Sequence, residues 1–346
     1  MTLLRRIAPG LLLLVLAPVV AEFLLGDFTI RSLPLLVVLG WQYGGGALLI
    51  REVTRRLQRG WPTILLLALA YALIEEGFTT QSLFNPNYAG KRLLDYGYIP
   101  VLGTSLNWCV FVLGIHVVWS IGTPILIVEG VAGQRRVTPW LHRPGLAVIS
   151  GVFVVGCALT TFFTLAADPF VASPEQLVAI GVLVVATVTA AFVVNPEFPG
   201  RQPSRRAPAP WVVGGCALVL ASAFVSISRF AAPPIPAWLS LVALLACSVI
   251  ACLLIVYWSR SPAWGPVHYL ALATGTVLTY AWRGLAGFMA GSTNLGAPVD
   301  MVDIVGQLIL IGAILGLIGW AAQRSRAEQQ EASALGADVA EHASIA

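Results

Sequence analysis

Two adjacent glutamates, Glu75 and Glu76, stand in an otherwise apolar stretch, and His116 stands in the next one. A carboxylate with an imidazole is the pairing that general acid–base chemistry uses: one group takes a proton from water while the other holds or returns it. Arg283, in a much later apolar stretch, adds a guanidinium that could stabilise a developing anion. One histidine and two glutamates make an incomplete metal site at best, so the metal question stays open, and nothing in the chain implies a cofactor. His116, Ser120 and Thr123 share one helical stripe, with Trp119 beside it, and Thr276, Thr279, Tyr280, Arg283 and Gly287 form another. Neighbours on a helix differ by about 100°, so Glu75 and Glu76 cannot face fully the same way. Glu76, with Thr79 and Thr80 within one turn, is the better inward candidate.

The elements that must position these groups are membrane helices. The chain has 346 residues, of which 58% are hydrophobic and 10% charged. A soluble domain carries about 25% charged residues. A span needs about 20 mostly apolar residues. Such stretches lie near 7–26, 32–50, 61–84, 105–129, 145–167, 175–194, 210–228, 236–258, 266–290 and 301–321. The expectation is an all-α, polytopic transmembrane helix bundle of about ten spans. Arginines fall in alternate gaps: Arg5 and Arg6; Arg51, Arg55, Arg56 and Arg59; Arg135, Arg136 and Arg143; Arg201, Arg205 and Arg206; Arg260; Arg324 and Arg326. That is 15 of the 20 basic residues, which predicts cytoplasmic N- and C-termini in a cell (plasma) membrane. Arg31, Lys91, Arg92 and Arg229 fall on the opposite side. The expected partner is the lipid bilayer; short basic loops of this kind hold topology and do not make a nucleic-acid surface. The first span could be read as a cleavable signal peptide, but Pro18 near the would-be cleavage site favours retention.

Ionisable groups within a bilayer are costly and face protein or water. At about 1.5 Å per residue, Glu75, Glu76, His116 and Arg283 fall at one level, roughly 12–16 Å from the outer ends of their spans, with Glu22 shallower. Glu52 and Glu129, near arginines at cytoplasmic ends, read as solvated or interfacial groups. His268 reads as a capping or snorkelling residue, and Asp300 with Asp303 as acids favouring a helix N-terminus. Gly44, Gly45 and Gly46 read as a close-packing or hinge feature. Asn85-Pro86-Asn87 signals a turn, 195–210 a linker, and 327–346 a disordered cytoplasmic tail behind a bundle over 1–326. The five cysteines, none in a CxxC pair, read as free thiols.

Ile74-Glu75-Glu76-Gly77, with His116 on the following span, resembles the CPBP family of intramembrane proteases. That resemblance covers spans three and four and implies a Glu–Glu pair and a histidine that activate a water. Thr80 stands where that family carries an arginine and Val112 where it carries a phenylalanine, and its later His-x-x-x-Asn motif has no counterpart here. Ser82-Leu83-Phe84-Asn85-Pro86-Asn87-Tyr88, followed by Leu94-Asp95-Tyr96-Gly97-Tyr98-Ile99-Pro100, resembles uncharacterised bacterial polytopic membrane proteins and implies no activity. Three functions compete: a membrane-embedded hydrolase acting on a lipid or membrane peptide, a transporter using the same groups as a proton or substrate site, and a non-catalytic structural subunit in which Arg283 pairs with a glutamate. A cavity open to one face favours the first; access from both faces in turn favours the second.

Overall fold

The computed structural model describes residues 3–193, 206–230 and 235–345; Arg201 and Arg205 of the expected linker lie outside them. The described chain is almost entirely helical. Ten long helical segments follow the ten apolar stretches: α1 (Arg6–Leu24), α2 (Ile30–Arg56), α3 (Trp61–Thr79), α4 (Leu106–Val137), α5 (Arg143–Ala167), α6 (Pro174–Val193), α7 (Pro210–Phe230), α8 (Ala237–Ser259), α9 (Pro266–Met289) and α10 (Met301–Ile345). Nine of these are long and apolar enough to cross a bilayer on their own composition. The exception is α9, which is long enough at 24 residues but is punctuated by Thr274, Thr276, Thr279, Tyr280 and Arg283.

Packing explains the exception. In α1 to α4 half or more of the spanning stretch is buried in protein, whereas in α5 to α8 the share is 11–17%. Helix α9 packs closely on α7, α10 and α4, with Leu270, Ala273, Val277, Tyr280 and Ala281 in the core. An inner set, α1 to α4 with α9, is thus girdled by α5 to α8 and by α10. Outer helices meet lipid on most sides and are apolar all round. An inner helix has less lipid face to satisfy and tolerates hydroxyls that bond across helices.

Arg6 on α1 and Arg324 on α10 lie at one face. Arg6 donates to the Trp140 carbonyl, Arg135 donates to the Arg6 carbonyl, and Arg324 donates to the Val131 carbonyl. The opposite, loop face joins 25–29, 80–105 and 290–300: the Asn294 backbone N–H donates to the Gly26 carbonyl, and Arg31 pairs with Asp300 and Asp303. A two-stranded hairpin, β1 (Tyr98–Ile99) and β2 (Thr104–Ser105), leads into α4, where Ser105 accepts the Trp108 N–H as the N-cap. Helix α10 continues through the segment expected as a tail, to Ile345.

Two expectations change. Glu52 and Glu129 are buried, not solvated, and so are Arg51 and Arg55. Arg55 holds Glu129 through Nε and an Nη at 2.8 and 2.7 Å, and Arg51 bridges Glu129 and Glu52 while lying 3.5 Å from the Trp140 ring centroid. Glu52 also accepts the backbone N–H groups of Trp140 and Leu141, so the 133–142 loop folds over the pairs and removes them from water. The third span, read as 61–84, leaves helix after Thr79. Glu76 captures hydroxyls of Thr80 and Ser82, and Gln81 takes φ +55°, which turns the chain back. The two glutamates therefore sit at the end of their helix, roofed by the following loop.

His268 does cap α9: its Nδ1 accepts the Gly265 N–H and its Nε2 faces the Pro208 carbonyl at 3.1 Å. Gly44 proves a close-packing residue, since a methyl there would overlap the Leu14 backbone. All five cysteines are free thiols.

Candidate functional site

Four of the five inner helices contain a π-helical turn, and every one of those turns carries a polar side chain toward one place. They are Val19–Leu24 with Glu22, Gly40–Gly44 with Tyr43, Glu75–Thr79 with both glutamates, and His116–Gly122 with His116 and Ser120. A π turn inserts a residue, leaves part of the i→i−4 ladder unmade, and recurs at functional positions. Inner-helix packing supports the cost: Gly44 on α1 and Gly46 against the Tyr71 ring let backbones and rings approach closely.

Glu75, Glu76 and His116 form one bonded group. His116 Nε2 lies 2.6 Å from Glu76 Oε1, and Nδ1 lies 2.9 Å from Ser120 Oγ and 3.2 Å from Glu75 Oε2. All three side chains are buried. The two carboxylates differ in what else they touch. Glu76 Oε2 takes Thr80 Oγ1 at 3.1 Å and the Ser82 hydroxyl, and Ser82 is itself held by the Trp108 indole N–H at 3.2 Å. Glu75 Oε2 has no hydrogen-bond donor of its own beyond the imidazole it faces. Tyr43 stacks on the His116 ring with centroids 6.0 Å apart, Tyr71 meets it edge-on at 6.2 Å, and the Tyr43 hydroxyl donates to Glu22.

These groups line a cavity of about 600 Å³ that reaches the loop face, where Asp27, Tyr88, Lys91, Arg283 and Asn294 form its wall. That is within the usual range of ligand sites, about 300–1,000 Å³. No residue of 45–70 or 123–145 lines it, and the buried Arg51–Glu52–Arg55–Glu129 group lies at the other end of the bundle. The cavity is thus open to one face only.

Arg283, the fourth expected residue, is on the same wall but at the mouth, beside Gly287 and Asn294, with its charge acting on Asp27. Withdrawal from bulk water into this wall pushes the Asp27 carboxyl up to about 6. The two stripes read from sequence do meet, lower down: Thr123 Oγ1 lies 2.8 Å from Thr276 Oγ1, the Trp119 N–H donates to the Thr276 carbonyl at 2.8 Å, and Trp119 stacks on Tyr280 at 4.4 Å. Thr279 instead faces Ser222 of α7.

Asp27, Tyr43, Tyr71, Tyr88 and Lys91 are not among the expected site residues. Gln42-Tyr43 within an apolar run was an available signal; Asp27, after Gly26, looks like any turn residue. For a metal, ligand atoms of Glu75, Glu76 and His116 lie within 4.8 Å of one another, so the three could gather a divalent cation. Each imidazole nitrogen already faces a carboxylate, so the cation would have to take the place of one of those contacts.

The family model described as an uncharacterized membrane protein family matches residues 11–321. No curated protein and no solved structure matches the chain.

Proposed function

The chain belongs to that uncharacterized membrane protein family, a multi-pass membrane protein with a buried Glu/His/Arg cluster, and from that premise we propose a membrane-embedded hydrolase acting on a lipid or membrane peptide. The observation that carries the reading is the row Glu75–His116–Glu76 on the floor of a one-sided cavity. Glu76, with both oxygens engaged, orients the imidazole; Glu75, with an oxygen left for water, is the base. Glu75 removes a proton as the water oxygen attacks the acyl carbon. The departing oxygen or nitrogen then takes that proton back from the Glu75–His116 pair, so no proton is lost or gained. Arg283 at the mouth stabilises negative charge on the substrate. A transport reading needs access from the terminal face, where the buried Arg51–Glu129 group closes the bundle.

The test uses purified full-length protein in nanodiscs of total membrane lipid and membrane peptide from the producing cells, with products followed by mass spectrometry. A hydrolysis product formed by the wild type and lost in Glu75→Gln, with matched folded yield, supports the reading. Proton-driven uptake into proteoliposomes that depends on Glu75, with no product, overturns it in favour of transport. Folded wild type with neither activity overturns it in favour of a structural subunit.

A further inference from the structure

Helices α2 and α5 touch and then part. A methyl on Gly156 of α5 would come within 2.6 Å of the Gln42 backbone nitrogen, and one on Gly45 within 3.4 Å of the Phe153 backbone. Toward the loop face the two helices splay around a second cavity, of about 670 Å³. Its lip is mostly apolar on the helices, with Leu35 and Val38 on α2 and Phe163, Thr164 and Ala167 on α5, while Asn87, Gly90 and Asp168 close it at the loop face. Phe163 is 55% and Leu35 43% exposed, so the lip faces the surroundings of the bundle, and those surroundings are acyl chains. The inner end of this cavity is formed by Phe28, Leu39, Tyr88, Ala89 and Thr160, and the same five residues line the polar cavity. The two spaces adjoin at these residues, which form a neck between them.

Depth fixes what suits these spaces. Thr160 precedes the end of α5 at Ala167 by seven residues, or roughly 10 Å along the helix. A bilayer about 40–45 Å thick overall has a hydrocarbon core of about 30 Å, leaving a headgroup layer of about 5–8 Å on each side, so the neck lies just inside the hydrocarbon edge. Outside the neck the α2 and α5 walls are mostly apolar, with Asn87 and Asp168 at the loop edge; inside it stand Glu22, Asp27, Glu75 and Glu76. A molecule that fits both sides is itself two-sided at this depth.

We propose that the splayed end of α2 and α5 is a lateral doorway for an acyl-chain lipid, which keeps its chain between Leu35 and Phe163 while its head and linkage reach Glu75 and His116. This rests on the hydrolytic reading for its chemistry, and it names the substrate class: a lipid taken from the bilayer plane, not a solute taken from water and not a peptide.

The experiment measures occupancy without turnover. Full-length protein in nanodiscs of phosphatidylethanolamine and phosphatidylglycerol receives a trace of phospholipid carrying a diazirine on one acyl chain. After irradiation, labelled residues are mapped by mass spectrometry. Label is expected at Leu39 and Thr160 in the neck as well as at Phe163 on the lip. Thr160→Trp should clear the neck and leave Phe163 labelled; Leu39→Trp serves the same purpose if that variant fails to fold, and Thr160→Val should label as wild type. Label confined to Phe163, or neck label unchanged by either tryptophan, overturns the doorway. So does neck label from a diazirine-bearing membrane peptide but not from the lipid. Neck label with no Glu75-dependent product sinks the hydrolytic reading and leaves lipid entry standing.

Discussion

At the scale of single residues, the two glutamates are neighbours with unequal duties. Removing the base should cost about 10²–10⁴ in turnover, so Glu75→Gln is expected to lose product by that factor at unchanged melting temperature. Glu76→Gln keeps an oxygen for His116 but loses the charge that holds an imidazolium; a smaller loss with an altered pH–rate profile is expected. Asp27 gives a pH test outside the spans. Its folded value of about 6 lies above the unfolded 3.8, so the folded state binds the extra proton between them. Stability is therefore expected to fall as pH rises from about 4 to about 6 and to stay lower above it. Thermal unfolding in detergent should show that decline reduced in Asp27→Asn, which should also be the more stable protein at pH 8. His116 with Ser120 could be read from spacing, because both lie four apart on one helix. Tyr43 to Glu22 could not, because that bond joins two helices whose relative rotation the sequence does not state.

At the scale of elements, the π turns set what was hidden. Hydropathy marks where a helix runs, and all ten were visible that way. It does not mark where one extra residue enters a turn, and a stripe drawn at 3.6 residues per turn then points the wrong way beyond that residue. The end of α3 was hidden for a related reason: an apolar run predicts helix to Phe84, yet two hydroxyls bound to Glu76 end it at Thr79. Packing between elements can be checked through glycine. Gly44→Ala, whose methyl would meet the Leu14 backbone, should lower the melting temperature sharply. Gly151→Ala, with open space around it, should be neutral or stabilising by up to about 1 kcal/mol. The buried charge group at the terminal face joins α2 to α4. Arg51→Leu, which leaves Glu129 to Arg55 alone and Glu52 to Arg56 and the Trp140 and Leu141 N–H groups, is expected to cost up to about 3–5 kcal/mol in denaturant unfolding, since removing one partner of a buried charge group costs more than the pair is favourable.

At the scale of the whole molecule, the fold was open to reading because lipid sorts helices by surface, and composition records surface. The charge alternation predicts a direction, with the termini in the cytoplasm. Cysteine substitutions in a cysteine-free background test it: Asn87→Cys on the loop face should react with an impermeant maleimide in intact cells, and Val137→Cys only after permeabilisation. The site was readable as a list of costly residues but not as a room, since Glu22, Glu75, His116 and Arg283 meet only through the folding of distant stretches. The division into an inner and an outer set has one more consequence. A helix that answers only to hydrocarbon can exchange leucine for valine or alanine for decades of generations without penalty, while one that must aim a carboxylate cannot. Relatives aligned over the chain should therefore drift at two tempos, fast in the girdle of α5 to α8 and slow within it, with Gly156, where α5 meets α2, the slow point of the girdle.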